Sequence, residues 1–219
     1  MGVMASAMAG LACLLTVAAA PTADDFFADP TMDMVTMAPD GAHIAYRAPF
    51  KGRLNIFVAD PDGAHGRPLT SFADRSVEHY AWADGGNLVA MKSANGDERG
   101  VIYALRADGS RPPVALNPPG AFWLQGGDFR TADGTVYLPF IAAGGISTLL
   151  RIDLSTLARS TVATYDRAIP DWHVGPNGAL AGSAVVGDGI ALLYREPGGR
   201  TLRVGVGPVD DRGDVGIGH

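Results

Sequence analysis

Thiols are almost missing from this sequence of 219 residues, in which Cys13 is the only cysteine. One thiol cannot form an intramolecular disulfide or a zinc–thiolate site. Because Cys13 lies in an apolar N-terminal stretch, the rest of the chain also has no cysteine nucleophile. Charge is sparse too, at 18% of residues, with 17 Lys and Arg against 23 Asp and Glu and a net charge of −6. Both signs are interspersed and no basic stripe forms, which argues against a nucleic-acid partner. Helical periodicity longer than two turns is absent after residue 30, so a helical bundle or a helix-covered parallel sheet is excluded.

Catalytic spacings are missing as well. The G-x-S-x-G turn of a serine hydrolase does not occur: Gly145-Ile146-Ser147 is followed by Thr148 and Leu149, and Ser147 reads as a hairpin residue. His43, His65, His79, His173 and His219 are scattered, with no H-x-H or H-x-x-x-H pair to grip a metal. His79 and His173 lie beside Tyr80, Trp82 and Trp172, so packing under a ring is the default and a ligand in a central channel the alternative. Asp24, Asp25 and Asp29 lack the spacing of a calcium loop and suit a helix N-terminus. The loop Asn95–Arg99 is polar and reads as solvent-exposed, and no glycine cluster has the strand-before, helix-after context of a phosphate loop. The sequence therefore assigns no catalytic residue, no metal ligand and no cofactor.

What the chain does have is turns. It carries 29 Gly and 15 Pro, and Asp-Gly or a close relative recurs between short apolar runs. One series is Pro39-Asp40-Gly41, Asp84-Gly85-Gly86, Asp133-Gly134 and Asn177-Gly178. A second, out of phase, is Asp62-Gly63, Asp108-Gly109, Ser155-Thr156 and Gly198-Gly199. Successive members of each series are 43 to 49 residues apart. Two hairpin signals per period of about 45 residues give four strands per repeat, the signature of a β-propeller blade. The fold expected is all-β, a β-propeller of about four blades of four antiparallel strands, forming an incomplete ring.

The strands expected in the first unit are Met34–Met37, His43–Tyr46, Leu54–Val58 and Arg67–Thr70, with Pro68 at an edge because it cannot donate to a ladder. The second has Glu78–Trp82, Asn87–Met91, Gly100–Leu105 and Pro113–Leu116. The third has Trp123–Phe129, Thr135–Phe140, Ser147–Asp153 and Ser160–Ala163. The fourth has Ile169–Val174, Ala179–Ser183, Ile190–Tyr194 and Thr201–Val204. The third strands are the most apolar, as expected of strands sandwiched between neighbouring blades.

Residues 1–20 read as a secretory signal peptide, with small residues at Val17-Ala18-Ala19 and no Lys or Arg ahead of them. Export to the periplasm or beyond is expected. Residues 21–32 form a short helical lead-in, 33–204 the blades and 205–219 a tail outside the repeat pattern.

Asp25–Pro30, Met37–Tyr46, Gly52–Val58 and Arg67–Thr70 together resemble the start of exported bacterial peptidases of the prolyl oligopeptidase family, in the dipeptidyl and acylaminoacyl peptidase branch. TolB-like periplasmic propellers share the pattern more loosely. The resemblance covers roughly residues 24 to 202 and implies a propeller that gates peptide substrates for an α/β-hydrolase domain. The hydrolase motif has no counterpart here, so the resemblance implies a chain inactive by itself, with peptides as partners only if a hydrolase domain is joined to it. A free-standing TolB-like binding module is the alternative. Open blade faces in an incomplete ring are expected to favour self-association.

Overall fold

Tight turns organise the chain. Pro39 presets one backbone angle and Gly41 takes φ 72°, so the first strand can reverse onto the second without steric cost. In the computed structural model, residues 31–208 are described apart from 94–98, 125–129, 167, 170, 176, 187–188 and 200–201. The leader, most of the expected helical lead-in and the last part of the tail lie outside the described residues.

Four antiparallel sheets follow one another along the chain. The first contains β1 (Asp33–Met37), β2 (Ile44–Phe50), β3 (Arg53–Ala59) and β4 (Arg67–Pro68). The second contains β5 (Val77–Trp82), β6 (Asn87–Ser93), β7 (Arg99–Arg106) and β8 (Val114–Ala115), with β9 (Trp123–Leu124) also paired to β7. The third contains β10 (Arg130–Ala132), β11 (Thr135–Ile141), β12 (Ser147–Asp153) and β13 (Arg159–Tyr165). The fourth contains β14 (His173–Val174), β15 (Leu180–Val186), β16 (Gly189–Arg195) and β17 (Leu202–Pro208). Among the described residues the only helical segment is a single 3-10 turn at Ala143–Gly145.

Alternation within each strand sends successive side chains to opposite faces, so each sheet offers one face to each neighbour. On β6, Leu88 and Ala90 join a core with Ala45, Ile56 and Val58 of the first sheet. Val89 and Met91 point the other way, into a core with Val136, Leu138 and Phe140 of the third. A third core packs Leu149 and Ala163 against Trp172, just before β14, and against Leu180 and Leu193 of the fourth sheet. Four sheets thus share three cores among the described residues, and no core joins the fourth sheet to the first. That is an open arc of blades, each touching only its neighbours in the chain.

Polar staples fasten the same joints. Arg47 pairs with Asp33 at 2.6 Å and donates to the carbonyls of Val77 (3.0 Å) and Glu78 (2.5 Å) in the second blade. Arg67 reaches Ala107 O, Arg111 reaches Leu154 O (2.9 Å), and Arg195 reaches Val162 O (2.6 Å). The Tyr80 hydroxyl is buried against the first blade, donating to Ala45 O at 2.7 Å and accepting from Thr36 Oγ1 at 3.1 Å, with Met34 O alongside. Removing it orphans groups in that joint, so Tyr80→Phe is expected to lower stability by about 1–2 kcal/mol in chemical denaturation. Burial also lifts the Tyr80 phenol above its usual value of 10.0. The unfolded phenol then ionises first, so stability falls as the pH rises past about 10, and Tyr80→Phe should flatten that slope.

Two local outcomes differ from the pattern read in the sequence. Trp123 does not begin the third blade. The outer strand of the second blade breaks after Val114–Ala115 at Pro118 and Pro119, then resumes, with Gly100 paired to Trp123 and Arg99 to Leu124. Phe122 bridges to Ile141, so this segment ties the second blade to the third. Residues 125–129 of the expected strand lie outside the described residues. Second, in the two inner blades burial is deepest on the second strands, with six of the seven residues of β6 and six of the seven of β11 buried, whereas in the first blade β3 is more buried than β2. β6 and β11 have a partner on each edge and a blade on each face, and few of their side chains reach a rim. At the far end, β17 carries the ladder to Pro208, beyond the expected boundary at 204.

The glycine-free turn Ser155-Thr156 closes by another device. Asp153 Oδ1 accepts from Ser155 Oγ (2.6 Å), Ser155 N (2.9 Å) and Thr156 N (3.0 Å). These bonds, Ser155 Oγ first, hold the Asp153 carboxyl down at about 2. Arg47 likewise lowers Asp33. Both carboxylates are more acidic folded than unfolded, so their contribution is complete above pH about 4 and is lost as the pH falls toward about 2. An acid titration of the unfolding midpoint should show that decline, weakened by Asp33→Asn.

Candidate functional site

Among the described residues two concave surfaces stand out, one polar and one apolar. The polar cleft, about 300 Å³, is lined by Arg53, Arg75, Ser76, Glu78 and Ser93 where the first and second blades meet. Arg53 at the start of β3 and Ser93 at the end of β6 bring it to one rim of the arc. Ser76 Oγ accepts from Leu54 N at 3.0 Å, and Arg53 Nε donates to Asp74 O at 3.2 Å, so the link between the blades is held at both sides. Beside it, Lys92 pairs with Asp74 at 2.7 Å and lies 4.5 Å from the Phe72 ring centroid. The Lys92 hydrogen bond keeps the Asp74 carboxyl below its usual range. Two guanidinium groups and one carboxylate thus line an open cleft.

The apolar groove, about 460 Å³, lies on the fourth blade, among Asp171, His173, Ala181, Ser183, Leu192 and Tyr194. Asp171 accepts from Ser183 N at 3.0 Å and Ser183 Oγ at 2.8 Å. In a Ser-His-Asp triad an imidazole stands between hydroxyl and carboxylate to carry the proton. Here the serine bonds the carboxylate directly, which fixes the segment before β14 to β15. Asp108–Ser110 and Asp153–Ser155 are direct pairs of the same kind.

The residues singled out in the sequence do not converge. His79 and His173 are exposed on β5 and β14, in different blades. His65 Nδ1 lies 2.6 Å from Asp60 Oδ2 in an exposed turn, and His43 is half-buried before β2. His219 lies outside the described residues, as do Asp24, Asp25 and Asp29. Among the described residues no three His, Cys, Asp or Glu side chains gather as a metal would require. Ser147 does sit in a hairpin, pairing with Ile141 where β11 turns into β12, and it is fully buried there: its hydroxyl donates to Ile169 O at 3.1 Å and accepts from Trp172 Nε1 at 3.2 Å, sealing the joint between the third and fourth blades. Neither concave surface was visible from spacing, because each gathers residues from separate strands. The Arg53-Arg75-Glu78 charges offered no local motif to find.

No family model matches the chain. A dipeptidyl aminopeptidase BIII from Pseudoxanthomonas mexicana is 29% identical to it over 84 residues, which are 37% of this chain and 12% of that protein. Among solved structures, a puromycin hydrolase superposes with a TM-score of 0.54 at 16% identity, over 81% of this chain and 29% of its own. A structure from a study of two prolyl endopeptidases gives 0.55 at 15% identity, over 80% of this chain and 29% of its own. The chain thus spans less than a third of each of these proteins, and at such identities the superpositions speak for fold. By fold, the chain is an all-β, propeller-type segment similar to part of these peptidases.

Proposed function

We propose that this chain is the non-catalytic, substrate-gating propeller portion of a prolyl oligopeptidase-like serine peptidase. The observation that carries the reading is the local identity to a dipeptidyl aminopeptidase, joined to superpositions on peptidases over less than a third of their length. Gating requires a rigid rim bearing groups that a peptide can meet. The cleft of Arg53, Arg75 and Glu78 supplies both signs of charge at one rim, suited to the dipoles and termini of a short peptide. Peptides are then partners through a joined hydrolase domain, and export from the cytoplasm, the expectation from residues 1–20, is part of the same proposal.

The DNA following the codon for His219 tests this reading. A coding stretch for a G-x-S-x-G hydrolase, in any frame, is the expected result. An unrelated gene there would contradict it and favour a free-standing binding propeller.

A further inference from the structure

The arc ends in two unlike faces, and its internal joints show how such faces meet. Each blade has a forward face, turned to the next blade, and a backward face, turned to the one before. The hydrogen bond closing the first hairpin aligns the blades: Ala38 N to His43 O, Ala83 N to Asn87 O, and Gly175 N to Ala179 O. Two residues beyond each acceptor the forward face begins. In the second blade it is formed by the ladder pairs Val89–Ala104 and Met91–Ile102, all fully buried against the third blade. In the first blade the same positions are Ala45–Val58 and Arg47–Ile56, which meet the second.

The corresponding pairs in the fourth blade are Ala181–Tyr194 and Ser183–Leu192. These four residues line the apolar groove, where Tyr194 is 38% exposed, and Val185 further along β15 is 71% exposed. At the other end of the arc the backward face of the first blade is the counterpart, with no blade packed on it among the described residues. Its pair Met37–Ile44 matches Trp82–Leu88 of the second blade, which is buried, and Tyr46–Phe57 matches Ala90–Tyr103. Met37 is 58% exposed and Val35 53%, and the Tyr46 and Phe57 rings stack at 5.4 Å. The forward face is hollow because Ala181 and Ser183 are small. The backward face is bulky.

We propose that a second copy of this chain closes the arc. The backward face of one copy's first blade seats in the forward groove of the other's fourth blade, and the same contact repeats across a two-fold axis. The two faces are the halves of the joint that the chain already makes three times within itself. Each terminal blade has its own four strands, so closure is by face packing and not by strand exchange. A head-to-tail contact either closes or runs on into a fibre. Two copies give eight blades, within the four to eight at which propellers typically close, whereas three copies would exceed it. The inference rests on the fold and stands apart from the function proposed above.

Sedimentation velocity on the full chain at micromolar concentration tests it. A species of twice the chain mass is expected. Met37→Glu spoils the backward face and Tyr194→Glu the forward face; each side chain is exposed, so each variant should keep the wild-type far-ultraviolet dichroism and sediment as a monomer. Mixing the two should restore a dimer, because one of its two joints is then formed by two unaltered faces, and a dimer joining like faces could not be rescued so. A monomeric wild type, a ladder of larger species, or no rescue on mixing would each overturn the proposal. Should either variant fail to fold, cross-linking of the wild type followed by peptide mass analysis decides. Links between copies from β1–β2 to β15–β16 support the ring, and their absence overturns it.

Discussion

Replacing Asn55 by alanine is expected to cost about 3–5 kcal/mol of folding stability, a large share of the roughly 5–15 kcal/mol that holds a domain together. Asn55 is fully buried on β3. Its Nδ2 donates to Phe50 O (2.9 Å), Arg53 O (3.2 Å) and Phe72 O (3.0 Å). Its Oδ1 accepts from Thr70 Oγ1 (2.8 Å) and Phe72 N (2.8 Å), and Thr70 Oγ1 in turn accepts from Ile56 N at 2.9 Å. One side chain thus ties the β2–β3 hairpin to the chain leaving the outer strand. Alanine strands a buried N–H and several carbonyls at once. Asn55→Asp is an equally sharp test, because it keeps the shape but turns the donor into an oxygen facing three carbonyl oxygens. It should cost at least as much at neutral pH, and a urea midpoint close to wild type for either variant would refute the network's role.

The second large effect is expected at the last joint. Trp172 is 4% exposed and donates to Ser147 Oγ, and its ring lies so close to Gly182 that a Cβ there would be 3.2 Å from Cε3. Trp172→Ala removes the ring from the core shared with Leu149 and Leu193 and leaves a cavity, a change worth about 3–5 kcal/mol. Because each blade packs on its neighbours only, the loss should stay local. Amide hydrogen exchange is expected to speed up in β15 and β16 while β6 and β7 keep their protection. Uniform loss of protection across all four sheets would contradict a stack of nearest-neighbour blades.

Much of this architecture can be read from short-range chemistry. Asp40-Gly41, Asp62-Gly63 and Asp108-Gly109 punctuate apolar runs, and each marks a real hairpin turn, because few residues besides glycine settle readily into a positive φ. The strands between them follow to within a few residues. What escaped was long-range. Trp123 looks like the start of a blade, but the break at Pro118-Pro119 returns it to the edge of β7, a choice that depends on which edge is vacant. Arginine staples such as Arg111 to Leu154 O span 43 residues and have no local signature. Asn55 carried a family likeness in the sequence, yet its five-bonded clamp appears only when Phe50 and Phe72 are brought together. The same limit governs the two concave surfaces, whose walls come from strands far apart in the chain.

The substrate-gating role proposed above requires that the arc of blades hydrolyse no peptide by itself. The most direct measurement treats the purified full chain with a fluorophosphonate probe, reads its intact mass, and follows aminoacyl chromogenic substrates in parallel. An unchanged mass with no substrate turnover is the predicted result. A covalent adduct on a serine, accompanied by hydrolysis that the probe abolishes, would contradict it.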